Sequence, residues 1–285
     1  MRRKKAMHIF ESRFKKINTS FQAVIANFAT EDIHRFRVEI KKLRAFLHAI
    51  NSGRKQSNKL TLPKRLKKFY SAIGAVRNLQ LQQERIIKMA NDTGDVQPLN
   101  YLNLLHAEAN AHIRKAKKIF ASPQMLKKEE KKLLHTFTKN NKAASAKKFF
   151  SFESALLKKQ FPLLAGQKDE TLHSIRKILK DVSYIQPYIS NKTRLALPVE
   201  LSNQDFVKSL TDLLGDFQDA CTGLLFLQPF YLDQIPENER ILLMNIKMEW
   251  QDDKEKMKWQ FCELFGNRFS SSPFESKTEK LAILN

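Results

Sequence analysis

IHRFRVEIKKLRAFLHAI, residues 33–50, is the stretch that decides how the chain folds. Set at 100° per residue, Ile33, Phe36, Ile40, Leu43, Leu47 and Ile50 form one apolar stripe. That spacing predicts a helix with one buried face. Beside the stripe run His34, Arg37, Lys41, Arg44 and His48, all cationic or able to become so. A second copy lies at 172–189, LHSIRKILKDVSYIQPYI. Leu172, Ile175, Leu179 and Val182 repeat the apolar stripe, and His173, Arg176 and Lys180 repeat the basic one. An offset of 139 residues puts His34 on His173, Arg37 on Arg176, Lys41 on Lys180 and Ile50 on Ile189. A single basic face is commonly a solvated surface. Duplication preserves what packs, but it need not preserve an exposed Arg and Lys in register.

The rest of the composition agrees with helices. The chain has 285 residues, 42% of them hydrophobic, so it can bury a core. Glycine is scarce, at 7, where a sheet fold would need more for its turns. Lys and Arg number 51 against 29 Asp and Glu, a formal charge of +22. That excess implies a polyanionic partner: nucleic acid, an anionic membrane surface or inorganic polyphosphate. Two cysteines, Cys221 and Cys262, make neither a disulfide framework nor a zinc spacing, which points to a reducing compartment. The basic start is followed by no apolar run, and no stretch reaches the ~18–20 apolar residues of a membrane span. A cytoplasmic protein is expected.

In chain order, helices are predicted at 7–28, 33–50, 62–90, 98–120 and 123–139. Thr30 is expected as an N-cap and Pro63 in a first turn. KNNKAASA at 139–146 is the expected junction between halves. The order then repeats with helices at 146–164, 171–190 and 203–230, and a last one at 237–265. Polar connections are expected at NSGRKQSNK and NKTRLALPVE. Ile73-Gly74 aligns with Leu214-Gly215 in the helices that follow the two copies.

Several chemistries find no support. There is no Gly-x-Ser-x-Gly, no Walker loop and no Gly-x-Gly-x-x-Gly. With so little glycine, side chains rather than backbone must hold any phosphate. The histidines lack ligand spacing, so neither a metal nor a cofactor is called for. Asp216 and Asp219, three apart after Gly215, suit general acid/base work or a metal. They suit pairing with basic residues of a neighbouring helix better. The phenylalanines fall on apolar stripes rather than among the basic residues, so base stacking and sequence-specific nucleic-acid recognition are not expected. By contrast, Arg37, Lys41 and Arg44 span about 10 Å of helix, suited to a polyanion laid alongside. Arg offers planar donors, Lys compact charge, and His a further donor.

I-H-x-F-R-V-x-I-K-K-L-R-A-F-L resembles the signature helix of the CHAD family, the conserved-histidine α-helical domain. IGAVRNLQL, LHSIRKILKDVSY and LLGDFQDA resemble its other blocks, and the resemblance covers about 7–265. It implies an all-α fold of two pseudo-symmetric antiparallel four-helix-type bundles, with the two signature helices lining one basic groove. From the chain itself, the polar junction divides the halves at 1–142 and 143–265, and 266–285, which has no helical period, is expected to be a mobile tail. The resemblance also implies inorganic polyphosphate as the partner, with association to polyphosphate granules in some members. It carries over His34, Arg37, Lys41, Arg44 and Arg77, then His173, Arg176 and Lys180; His48 extends the first row. Ser183, Asp181, Asn78 and Gln80 depart from the family pattern. The expected function is non-enzymatic polyphosphate binding, with no membrane and no specific nucleic acid as partners. The alternatives are a phosphoanhydride or phosphate-ester hydrolase with a carboxylate-bound metal, and a non-specific nucleic-acid binder.

Overall fold

The computed structural model describes residues 3–52, 59–120, 122–139, 146–166, 168–190 and 199–270. Most of the predicted connections at 51–59 and 191–200 (residues 53–58 and 191–198), most of the 139–146 junction with its boundary at 142/143, and tail residues 271–285 lie outside them, and the end of the second connection begins a one-turn helix, Val199–Ser202. Every regular element among the described residues is helical, so the fold is all-α. The long helices are α1 (Arg3–Asn27), α2 (Thr30–Asn51), α3 (Lys64–Thr93), α4 (Leu99–Ile119) and α5 (Pro123–Lys139). They continue as α6 (Ala146–Gln160), α7 (Asp169–Ile185), α8 (Gln204–Leu225) and α9 (Glu237–Ser270).

Prolines explain where predicted helices fall short. The helix expected to reach 190 ends at Ile185, and a 3₁₀ turn, Gln186–Tyr188, follows around Pro187. Pro162 sits in a similar turn, Phe161–Gly166, after α6. α8 stops at Leu225, and Pro229 opens a separate one-turn helix, Pro229–Leu232. Proline has no N–H for the preceding turn, so the ladder breaks there. α9 errs the other way and runs five residues past the expected 265. One glycine costs a helix only about 1 kcal/mol. Phe261 and Phe265, both fully buried, anchor its last turns.

Two caps also differ from expectation. α2 is capped at Ala29, not Thr30, and Thr30 is the first helical residue. The α1–α2 turn is made instead by Phe28 at φ 54°, with Asn27 Oδ1 accepting from the Ala29 N–H at 2.9 Å. Pro63 takes the cap position of α3. α4 starts after Pro98, which has no capping side chain, and Glu239 of α9 does the work from outside. Its carboxylate accepts from the N–H groups of Asn100 (3.0 Å) and Tyr101 (2.9 Å) and from Asn100 Nδ2 (2.8 Å). A carboxylate at a helix N-terminus satisfies orphan donors and complements the macrodipole.

The chain forms two compact units. The first comprises Met1–Phe149 with Thr222–Trp250, the second Phe150–Cys221 with Gln251–Asn285. In the first unit, α1 packs on α2 and α5, α2 on α3, and α3 on α4. The predicted α2 stripe is its spine: Ile33, Phe36, Ile40, Leu43, Leu47 and Ile50 are all buried. Phe36 meets Phe21 and Phe69, which meet each other and Phe120, with centroids 5.2–6.0 Å apart. Fully burying each such side chain contributes about 1.5–3 kcal/mol. In the second unit the α7 stripe, Leu172, Ile175, Leu179 and Val182, is buried likewise. Asp169, in the first turn of α7, is held by Lys254 (2.7 Å) and Lys258 (3.1 Å) of α9.

Candidate functional site

Burial of its apolar stripe fixes the rotation of α2 and leaves the basic row on its flank. The turn leading into α2 is fixed too, because Gln80 of α3 donates to the Phe28 carbonyl at 2.9 Å. Gln80, a departure from the family pattern, thus sets where the signature helix begins. Two α2 carboxylates are paired with cations outside the row. Glu39 binds Arg13 (2.6 Å) and Lys42 (2.9 Å), and Asp32 binds Arg35 (2.8 Å). Burial pushes the Glu39 carboxyl up, but hydrogen bonds from Lys42 and Arg13 outweigh it and hold the pKa below the ordinary value.

Arg37 is held by α3 at three points. Its Nη1 donates to the Tyr70 carbonyl at 3.1 Å, and its guanidinium lies 4.6 Å over the Tyr70 ring. Arg44 reaches the same ring from 6.0 Å. The guanidinium of Arg37 presses on Gly74: a Cβ there would collide with Nη1 and lie 3.0 Å from Cζ. Gly74 is therefore the notch in α3 that admits an arginine against helix backbone. Burial pulls the Arg37 pKa down; Tyr70 opposes this, while Arg77 and Arg44 add to it.

The remaining cations gather around this point. Burial, then Arg77, Lys41 and Arg37, hold the His34 imidazole below its ordinary pKa, with Glu31 opposing. His34, Arg37, Lys41, Arg44 and Arg77 thus form one like-charge cluster on α2 and α3 of the first unit. His48, one turn beyond Arg44, packs edge-on against Phe149 at 5.6 Å. A groove of about 1000 Å³ between α1 and α2 meets the row only at His34. Its lining mixes Lys15, Lys16, Arg35 and Lys42 with Glu31, Asp32 and Glu39, so it is close to charge-balanced.

The second unit carries a shorter row. His173 Nδ1 faces Gln218 Oε1 of α8. Lys180 Nζ stands 3.7 Å from Asp212 Oδ1. Burial lowers the Lys180 pKa; Asp212 works against this and Arg176 with it. Arg176 Nε is buried without a hydrogen-bond partner among the described residues. Gly215 has open space where Gly74 has Arg37. Asp216 and Asp219 are exposed on α8, and no group of three or more metal-ligating side chains occurs among the described residues. Cys221 and Cys262 are free thiols, both pushed up in pKa by burial. Tyr70, Asp212 and Gln218 escape a motif search. The 141-residue offset between the two glycines does place Gln218 on Arg77 and Asp212 on Ser71.

Comparison with protein families matches residues 8–228 to the CHAD domain. The match spans well over half of the chain, and the protein belongs to the CHAD family. Among solved structures it is similar to PptA from Streptomyces chartreusis, with a TM-score of 0.63 and 12% identity. That match covers 92% of this chain and 98% of the other. At such low identity it shows the fold alone. Comparison with curated proteins gives no significant match. No helix of the described residues is long and apolar enough to cross a membrane.

Proposed function

We propose that this protein binds inorganic polyphosphate without acting on it. The first contacts are His34, Arg37, Lys41, Arg44, His48 and Arg77; His173, Arg176 and Lys180 add a second row. The observation that carries this is the like-charge cluster around Arg37. A half-buried guanidinium faces two other arginines, and Tyr70 supplies a carbonyl and a ring but no countercharge. Such an arrangement is costly when empty of anion and is relieved by phosphate oxygens, which arginine meets with paired donors. The family is associated with polyphosphate, which agrees. The scarcity of glycine agrees too, since the phosphates must be held by side chains.

Titration with long-chain polyphosphate, followed by incubation with Mg²⁺, tests the proposal. Saturable binding without phosphate release is expected; steady release would make the protein a hydrolase. Duplex DNA displacing polyphosphate at equal phosphate concentration would make it a general phosphate-backbone binder.

A further inference from the structure

The two basic rows are copies in sequence but not in their surroundings. In the first copy, Arg77 stands beside His34 and adds positive charge. The residue in register in the second copy is Gln218, which occupies the His173 ring nitrogen through its amide oxygen. The first copy has the neutral Ser71 where the second has Asp212. Asp212 reaches across from α8 to Lys180, the register partner of Lys41. Lys180 is the more enclosed member of that pair, with side-chain exposure of 29% against 58% for Asp212. The carboxylate can therefore swing into water while the ammonium stays.

We propose that Asp212 is a built-in competitor: it occupies Lys180 as a phosphate would, and an incoming polyanion must displace it. Resting on the polyphosphate reading above, this makes the second row the weaker of two unequal subsites, with Asp212 setting its strength. Removing a carboxylate from the second row then strengthens binding specifically. An exposed ion pair of this kind is worth up to a few-fold in an equilibrium, so the expected gain is about two- to fivefold.

The test uses the full chain carrying Arg37→Ala and Lys41→Ala, so that the first row is weakened and the second contributes a larger share of binding. Asp212→Ser, which copies the first-half residue, is compared with Asp252→Ser, which removes an exposed α9 carboxylate that has no ion pair to the row. Polyphosphate affinity should rise about two- to fivefold for Asp212→Ser and clearly less for Asp252→Ser, which carries only the change in net charge. Adding Lys180→Ala should abolish the Asp212→Ser gain. Equal gains from the two carboxylate variants, or a gain that survives Lys180→Ala, would overturn the proposal. The parent reading is judged separately, by whether Arg37→Ala/Lys41→Ala itself weakens binding.

Discussion

Replacing Gly74 by alanine should have the opposite effect to the same change at Gly215, although both glycines sit inside helices at matching places. An interior Gly→Ala change favours a helix by about 0.5–1 kcal/mol. Gly215 has open space around the added methyl, so its variant should show that gain in full. At Gly74 the methyl collides with the Arg37 guanidinium, which must leave. Its departure forfeits a charged hydrogen bond to Tyr70, about 1.5–3 kcal/mol. It also forfeits the contact with the Tyr70 ring, about 0.5–2 kcal/mol. Set against the helix gain, Gly74→Ala should lose about 1–4 kcal/mol. Polyphosphate affinity should fall roughly tenfold, as one ordered cation becomes mobile. Urea unfolding midpoints and a binding titration on each variant provide the check. Equal stabilisation by both substitutions, with unchanged binding, would refute the notch.

Glu239→Ala should destabilise the first unit by about 1–2 kcal/mol, because α4 loses the carboxylate that caps its N-terminus. Glu239→Gln should lose less, since it keeps an acceptor and forfeits only the charge–dipole part; thermal melts followed by circular dichroism separate the two. His34 has a depressed pKa and is neutral near pH 7, and a bound polyanion favours its protonated form. Affinity for long polyphosphate should therefore climb as pH falls from about 7.5 to about 5.5, with proton uptake on binding, and His34→Asn should flatten part of that climb. A calorimetric titration in buffers of different ionisation enthalpy measures the uptake directly.

The helical architecture is legible in residues 33–50 because burial enforces a 3.6-residue period, and each stripe residue named from that period is buried. The element ends were less legible. Thr30 looks like a cap, yet a left-handed Phe28 and the Asn27 side chain set the turn. Glu239 caps a helix that begins 140 residues earlier, which no local pattern can disclose. The basic rows were visible as composition on a helix face. What surrounds them was not, because Tyr70, Gly74 and Asp212 act across helix–helix contacts. Gly74 reads as a motif glycine until Arg37 is seen resting on it. The three positions in register, His34/His173, Arg37/Arg176 and Lys41/Lys180, look equivalent in sequence, and their neighbours on α3 and α8 set them apart.

The most direct test of the central claim compares two double variants with the wild type in polyphosphate titrations at two salt concentrations. Arg37→Ala/Lys41→Ala removes two members of the first row; Lys127→Ala/Lys128→Ala removes the same charge from an exposed face of α5. An organised site holds charge at short range and partly out of water, where attraction is less screened. The row variant should therefore lose much more affinity than the surface variant, and its log affinity should depend less steeply on log salt than the wild type's. Equal losses from the two variants would contradict the account and leave a diffuse basic surface in place of a site.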